Sequence, residues 1–134
     1  MQLWSHGGQL LRHVAGHELT VHDLAFDVEE RLLVSASKDG TARVWDVASA
    51  QCLFVHDFDA GYVFSVTLSC SNLMAVSLRD ANQIRFVQLG RAALVKQLAV
   101  DWPGKVRFAP SQCGKPQDVY LSTYDAWLCC FQVQ

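Results

Sequence analysis

Three stretches of the chain carry one pattern in register. An aspartate is followed six residues later by an aromatic that closes a run of apolar and β-branched residues. Asp39 leads to Trp45, Asp80 to Phe86 and Asp125 to Phe131, in "SASKDGTARVW", "AVSLRDANQIRF" and "YLSTYDAWLCCF". With Trp4 at the front, the closing aromatics stand 41, 41 and 45 residues apart. A period of that length means stacked copies of one supersecondary unit, none of which buries its apolar face alone.

The unit is built of strands. Short runs such as "LLVSA", "ARVWDV", "VFSVTL", "LMAVS" and "IRFVQL" are rich in β-branched and aromatic residues, and small polar residues separate them. Several are apolar on both faces, as strands covered from both sides are. Asp39-Gly40 between two of these runs marks a tight hairpin, since glycine reaches positive φ without strain. Ala60 to Leu78 carries no charge and is nearly long enough to span a bilayer. The "SCSN" at its centre, however, reads as a turn between two strands.

Composition narrows the function classes. The 134 residues carry a formal net charge of −2 with scattered lysines and arginines, which leaves no basic stripe for nucleic acid. The five cysteines (Cys52, Cys70, Cys113, Cys129, Cys130) are odd in number and form no CxxC pair. They suit reduced core thiols, which points to an intracellular chain, cytoplasmic or nuclear. The N-terminus lacks the long apolar run of a signal peptide. The five histidines (His6, His13, His17, His22, His56) match no zinc spacing and are expected on surfaces or loops. No cofactor is implied. "WPGK" at 102–105 reads as a turn entering a strand, "CGKPQD" at 113–118 as a loop and "DVEER" at 27–31 as a solvated turn.

One constellation invites a catalytic reading. Ser35, Asp39 and the upstream His17 are the residue types of a hydrolase triad. A nucleophilic serine needs an exposed, strained elbow and an oxyanion hole, whereas Ser35 lies inside the apolar strand "LLVSAS" and no G-x-S-x-G occurs. The alternative is structural. A buried Trp45 indole N–H needs an acceptor, and Ser35, His17 and Asp39 are able to relay hydrogen bonds from it.

"GHELTVHDLAFDVEERLLVSASKDGTARVWDV", residues 16–47, resembles a WD repeat, most like those of G-protein β subunits. It holds the Gly-His pair, Asp39 in the turn and the closing Trp45-Asp46. The resemblance implies an all-β β-propeller of four-stranded antiparallel blades, of which about three are present. It divides the chain into the end of one blade (1–15), a blade with the full signature (16–57), a degenerate blade (58–100) and an incomplete one (101–134).

The resemblance also implies roles. His17, Ser35, Asp39 and Trp45 match the family's structural hydrogen-bonded tetrad. In the second repeat Phe58 and Val76 stand where His17 and Ser35 do, and Phe86 closes it, so packing replaces the tetrad there. WD propellers are mostly rigid, non-catalytic platforms for protein or peptide partners. Their docking face maps here to Thr20, His22, Lys38, Tyr62, Phe64, Arg79, Trp102 and Tyr124. A small-GTPase exchange factor or a G-protein β-like signalling subunit is the regulatory alternative. Three blades fall short of a closed ring of about four to eight. Two arrangements are expected. The chain is a piece of a longer propeller, or copies pair head to tail with residues 8–14 of one completing the last blade of another.

Overall fold

The computed structural model describes residues 1–89, 93–109, 117–123 and 128–133. They form antiparallel sheets. β1 (Gln2–Trp4) pairs with β2 (Leu10–His13) in a two-stranded sheet. β3 (Val21–Phe26), β4 (Leu32–Ser37), β5 (Thr41–Asp46) and β6 (Cys52–Asp57) follow in simple meander order. β7 (Val63–Leu68), β8 (Leu73–Leu78), β9 (Gln83–Gln88) and β10 (Ala93–Ala99) repeat that order. β11 (Pro103–Phe108), β12 (Gln117–Thr123) and β13 (Leu128–Val133) make a three-stranded sheet. The propeller-blade architecture expected from the repeats is the one observed.

Short polar residues end the strands by capturing backbone N–H groups, the usual Asx and Ser turn device. Asp27 Oδ1 accepts from the N–H groups of Arg31 at 2.7 Å and Leu32 at 2.9 Å, so "DVEER" is a turn with an internal anchor. Asp46 Oδ1 accepts from Ser49 at 2.9 Å. Ser69 Oγ accepts from Leu73 at 3.0 Å, and Asn72 sits at φ 58°. The uncharged segment around "SCSN" is therefore the hairpin of β7 and β8. Among the described residues no helix is long and apolar enough to cross a membrane.

The sheets stack face to face, and the core lies between them. Val34, Ala36, Ala42 and Val44 of the second sheet meet Val63, Val66, Met74, Val76 and Val87 of the third. Ala75, Ile84 and Phe86 meet Val106, Val119 and Leu121 of the last. Trp45 and Leu33 pack on Val14 beside the β1–β2 pair. The first strands β3, β7 and β11 run side by side at the inner edge, while β6 and β10 form the outer rim. That arrangement gathers the loops preceding β3, β7 and β11, and the turns preceding β5 and β9, at one end of the molecule.

Candidate functional site

The residues expected to form a tetrad lie within one chain of hydrogen bonds. Trp45 Nε1 donates to Ser35 Oγ at 2.8 Å, Ser35 lies 2.6 Å from His17 Nε2, and His17 Nδ1 lies 2.8 Å from Asp39 Oδ2. The indole only donates, so the Ser35 proton goes to Nε2 and Nδ1 keeps its proton for the carboxylate. Asp39 also accepts from the Glu18 N–H at 3.1 Å, the Thr41 N–H at 2.9 Å and the Thr41 hydroxyl at 2.6 Å. Burial pushes the Asp39 carboxyl up, but the bonds from Thr41, His17 and Glu18 outweigh it and hold it well below the carboxylate range. Burial lowers His17 more than the Asp39 charge raises it, so the imidazole is neutral at neutral pH. Ser35 is fully buried. Gly16 explains the Gly-His pair: a Cβ there would stand 2.8 Å from the Trp45 ring and 2.5 Å from the Arg43 guanidinium.

In the next sheet Val76 takes the station of Ser35, but β7 is offset from β3 by 42 residues, which sets Asp59 rather than Phe58 level with His17, and the aromatic does not sit where the spacing places it. Ser35 pairs with Arg43 and Leu33 with Trp45, whereas Val76 pairs with Arg85 and Met74 with Val87. Val87, not Phe86, is therefore the register partner of Trp45. The cause is the hairpin: residues 79–82 link β8 to β9, against 38–40 between β4 and β5. One added residue turns every side chain of the following strand to the other face. Phe86 accordingly packs toward the β11–β13 sheet, while Val76 and Val87 pack toward the β3–β6 sheet beside Phe58.

The expected docking face falls into a tight cluster and some looser members. His22 stacks on Tyr62 and Phe64 with centroids 5.3 and 5.8 Å apart. The Arg79 guanidinium lies 3.7 Å over the Phe64 ring and donates to Tyr62 Oη at 3.3 Å. Trp102 is 57% exposed with φ 49°, and its N–H donates to Asn82 Oδ1 at 3.0 Å. Tyr62, Arg79, Asp80, Asn82 and Trp102 line a cleft of about 560 Å³. Phe64 is half-buried under Arg79, so it is part of the wall rather than of the core. Thr20 and Lys38 are exposed at the neighbouring turn, where the Thr20 carbonyl accepts from the Lys38 N–H at 2.9 Å. Tyr124 lies outside the described residues.

Sequence reasoning missed an ionic cluster that joins the three inner strands. Asp23 on β3 is paired by Arg107 on β11 through two bonds of 2.9 and 3.0 Å, and Lys105 Nζ lies 3.1 Å away. Ser65 Oγ at 2.6 Å and the Val66 N–H at 3.1 Å, both on β7, complete its shell. Burial pushes the Asp23 carboxyl up, yet these donors, Arg107 foremost, hold it well below the carboxylate range. Ser65 in turn accepts from the Val106 N–H at 3.1 Å, and Thr67 from that of Phe108 at 3.4 Å.

Other expectations change in detail. His22 and His56 are neither surface nor loop histidines: each lies part-buried on a strand, and among the described residues their buried Nε2 atoms have no hydrogen-bond partner. No group of three or more metal-ligating side chains forms among the described residues. Cys52 is an exposed free thiol on β6 rather than a core thiol, because the outer strand has no sheet beyond it. Cys113 lies outside the described residues, and Gln117 and Asp118 of "CGKPQD" belong to β12 rather than to a loop.

The family profile described as "WD domain, G-beta repeat" matches residues 8–46, the span from the start of β2 through the closing Trp45-Asp46. The chain contains a WD repeat. This WD-repeat chain is 36% identical over 75 residues to eukaryotic translation initiation factor 3 subunit I of Mycosarcoma maydis, covering 55% of itself and 22% of that protein. It is 36% identical over 92 residues to Protein Notchless of Drosophila melanogaster, covering 65% of itself and 18% of that protein. It is 48% identical over 48 residues to a Periodic tryptophan protein 2 homolog of Schizosaccharomyces pombe, covering 35% of itself and 6% of that protein. A chain in the crystal structure of the Mitotic Checkpoint Complex superposes with a TM-score of 0.78 at 21% identity, over 93% of this chain and 39% of that one. The present chain thus spans about a fifth of the first two relatives.

Proposed function

We propose that the chain is a non-catalytic WD-repeat scaffold that binds protein or peptide partners on the face carrying His22, Lys38, Tyr62, Phe64, Arg79 and Trp102. The observation that carries this reading is the contiguous aromatic–cation platform at the end of the sheets, with Arg79 lying over Phe64 and an open cleft between Tyr62 and Trp102. Tyrosine, tryptophan and arginine are the residue types that concentrate binding energy at protein interfaces. Rigid strands hold the platform, so little ordering entropy is lost on docking. A relative named as a subunit of a translation initiation factor favours work inside an assembly. The exposed thiol of Cys52 favours a reducing, intracellular setting.

The burial of Ser35 argues against a hydrolase. A fully enclosed hydroxyl, already held by Trp45 and His17, offers no approach to a substrate carbonyl. A serine-reactive fluorophosphonate probe separates the two readings. Labelling of Ser35 in the folded chain would revive catalysis, and its absence is expected. The scaffold reading is tested by comparing captured partners for the wild-type chain, Tyr62→Ala with Arg79→Ala, and Val28→Ser at the opposite end. Partners lost with the first variant and kept with the second are expected. Equal capture by all three would place binding elsewhere.

A further inference from the structure

The Asp23 carboxylate has more donors than it needs. Arg107 Nη1 and Nη2 lie at 2.9 and 3.0 Å, Ser65 Oγ at 2.6 Å, the Val66 N–H at 3.1 Å and Lys105 Nζ at 3.1 Å. Arg107 Nη1, Ser65 and Val66 reach Oδ2, and Arg107 Nη2 and Lys105 reach Oδ1, so each oxygen keeps a guanidinium bond when Lys105 leaves. The Arg107 fork is planar and bidentate, whereas Lys105 is a mobile point charge on a long stem. Lys105 is therefore the donor that Asp23 releases at least cost. Two cations share one anion here, so the cluster carries a single surplus positive charge.

Lys105 also reaches the platform. Its side chain is 46% exposed, and its ammonium lies 5.4 Å from the Phe64 ring centroid. The same ring carries His22 and Arg79. At the far side of Tyr62 the cleft is bounded by Asp80, which repels a second acid.

We propose that Lys105 reads one carboxylate of a partner peptide. An Asp or Glu side chain draws the ammonium away from Asp23, which Arg107, Ser65 and Val66 continue to satisfy. A neighbouring apolar residue of the peptide packs against Tyr62 and Phe64. One surplus charge and one repelling Asp80 fit a single carboxylate better than a dianionic phosphate or a run of acids. This inference rests on the reading of the face as a partner surface.

The test uses three fluorescein-labelled peptides of one scaffold, Gly-Ser-X-Phe-Ser-Gly with X as Glu, Gln or Lys, titrated against the full chain by fluorescence polarisation. The Glu peptide binds roughly tenfold tighter than the Gln peptide, the scale of one charge-assisted hydrogen bond. Added salt narrows that gap. Lys105→Met abolishes it with an unchanged melting temperature, because Arg107 still holds Asp23, and Lys105→Gln provides the same readout if methionine disturbs the fold. Equal binding of Glu and Gln peptides that is lost in Tyr62→Ala would sink the carboxylate proposal and leave the face standing. A Glu preference that survives Lys105→Met would also sink it. Failure of all three peptides to bind would overturn the carboxylate proposal, while the face stands or falls on the capture comparison.

Discussion

The β3–β6 and β7–β10 sheets share strand order and a bulge at the same point of the third and fourth strands, yet they are held by opposite means. The first uses a relay of polar groups from Trp45 to Asp39. The second places Val76 and Val87 at the stations of Ser35 and Trp45 and packs them with Phe58 on the first. The blade therefore does not require the tetrad. What these stations require is that the groups placed there match one another, which an all-polar or an all-apolar set achieves and a mixture does not. The aromatic is similarly indifferent to direction: Trp45 packs toward Val14, and Phe86 toward the opposite neighbour.

The strongest way to break the comparison is truncation of the two aromatics. Trp45→Ala and Phe86→Ala each cost about 3–5 kcal/mol in denaturant melts, because both rings are almost wholly buried. Hydrogen exchange separates them. Loss of Trp45 loosens the amides around Val14 and Leu33, and loss of Phe86 loosens those around Val106 and Val119. If Phe86→Ala instead loosened the amides around Val34 and Val44, the one-residue offset of β9 would be wrong.

Mixing the two chemistries comes next. Ser35→Ala strips the partner from a buried indole and imidazole, and costs about 1–3 kcal/mol. Val76→Ser, the reverse change at the matching station, costs a similar ~1–3 kcal/mol, because Phe58 and Val87 offer the hydroxyl nothing. A stabilising Val76→Ser would overturn the claim that matched sets are what counts. A smaller effect is expected at Gly61, which sits at φ 80° where a Cβ would stand 2.5 Å from Asp80 Oδ2. Gly61→Ala costs about 1–2 kcal/mol for the left-handed backbone, with a further cost for the clash. It weakens partner capture through Tyr62 as well.

The mildest test is pH. His17 is held below its usual 6.5, so the unfolded chain takes up a proton before the folded one. Stability from this group is full above about pH 6.5 and declines as the pH falls below it. Burial lowers His56 too, so it contributes in the same window. Asp39 and Asp23 add a second loss as the pH drops through 3.8. His17→Phe, which removes the titrating ring, shrinks the first step in thermal melts from pH 8 to 5 and leaves the acid step from Asp23 in place.

Legibility followed chemical isolation. Ser35 was readable because a serine amid "LLVSAS" has to find a partner, and Asp39-Gly40 because the turn type demands it. Asp23 carried the same kind of signal, an acid at an inward station of "VHDLAF". Its partner Arg107 lies 84 residues on, and only the stacking of β3, β7 and β11 brings them together. The offset at Phe86 was hidden because the aspartate-to-aromatic spacing is identical in the two repeats. The extra turn residue is compensated by a strand that starts on the other foot. The burial of His22 and the exposure of Cys52 depend on which strands end up inside and which at the rim, and strand periodicity does not encode that.

The inner strands β7 and β11 each lie at the border of their own sheet, with backbone donors pointing away from their hairpins. One of those donors on β7 and two on β11 are already occupied: Val66 by Asp23, Val106 by Ser65 and Phe108 by Thr67. A border strand with its N–H groups taken is a poor template for a stray strand of another chain. The side chains that pin neighbouring sheets together thus also act as chain terminators against β-aggregation. Asp23→Ala or Ser65→Ala should therefore surface first as lost solubility on mild heating, ahead of any change in what the face binds.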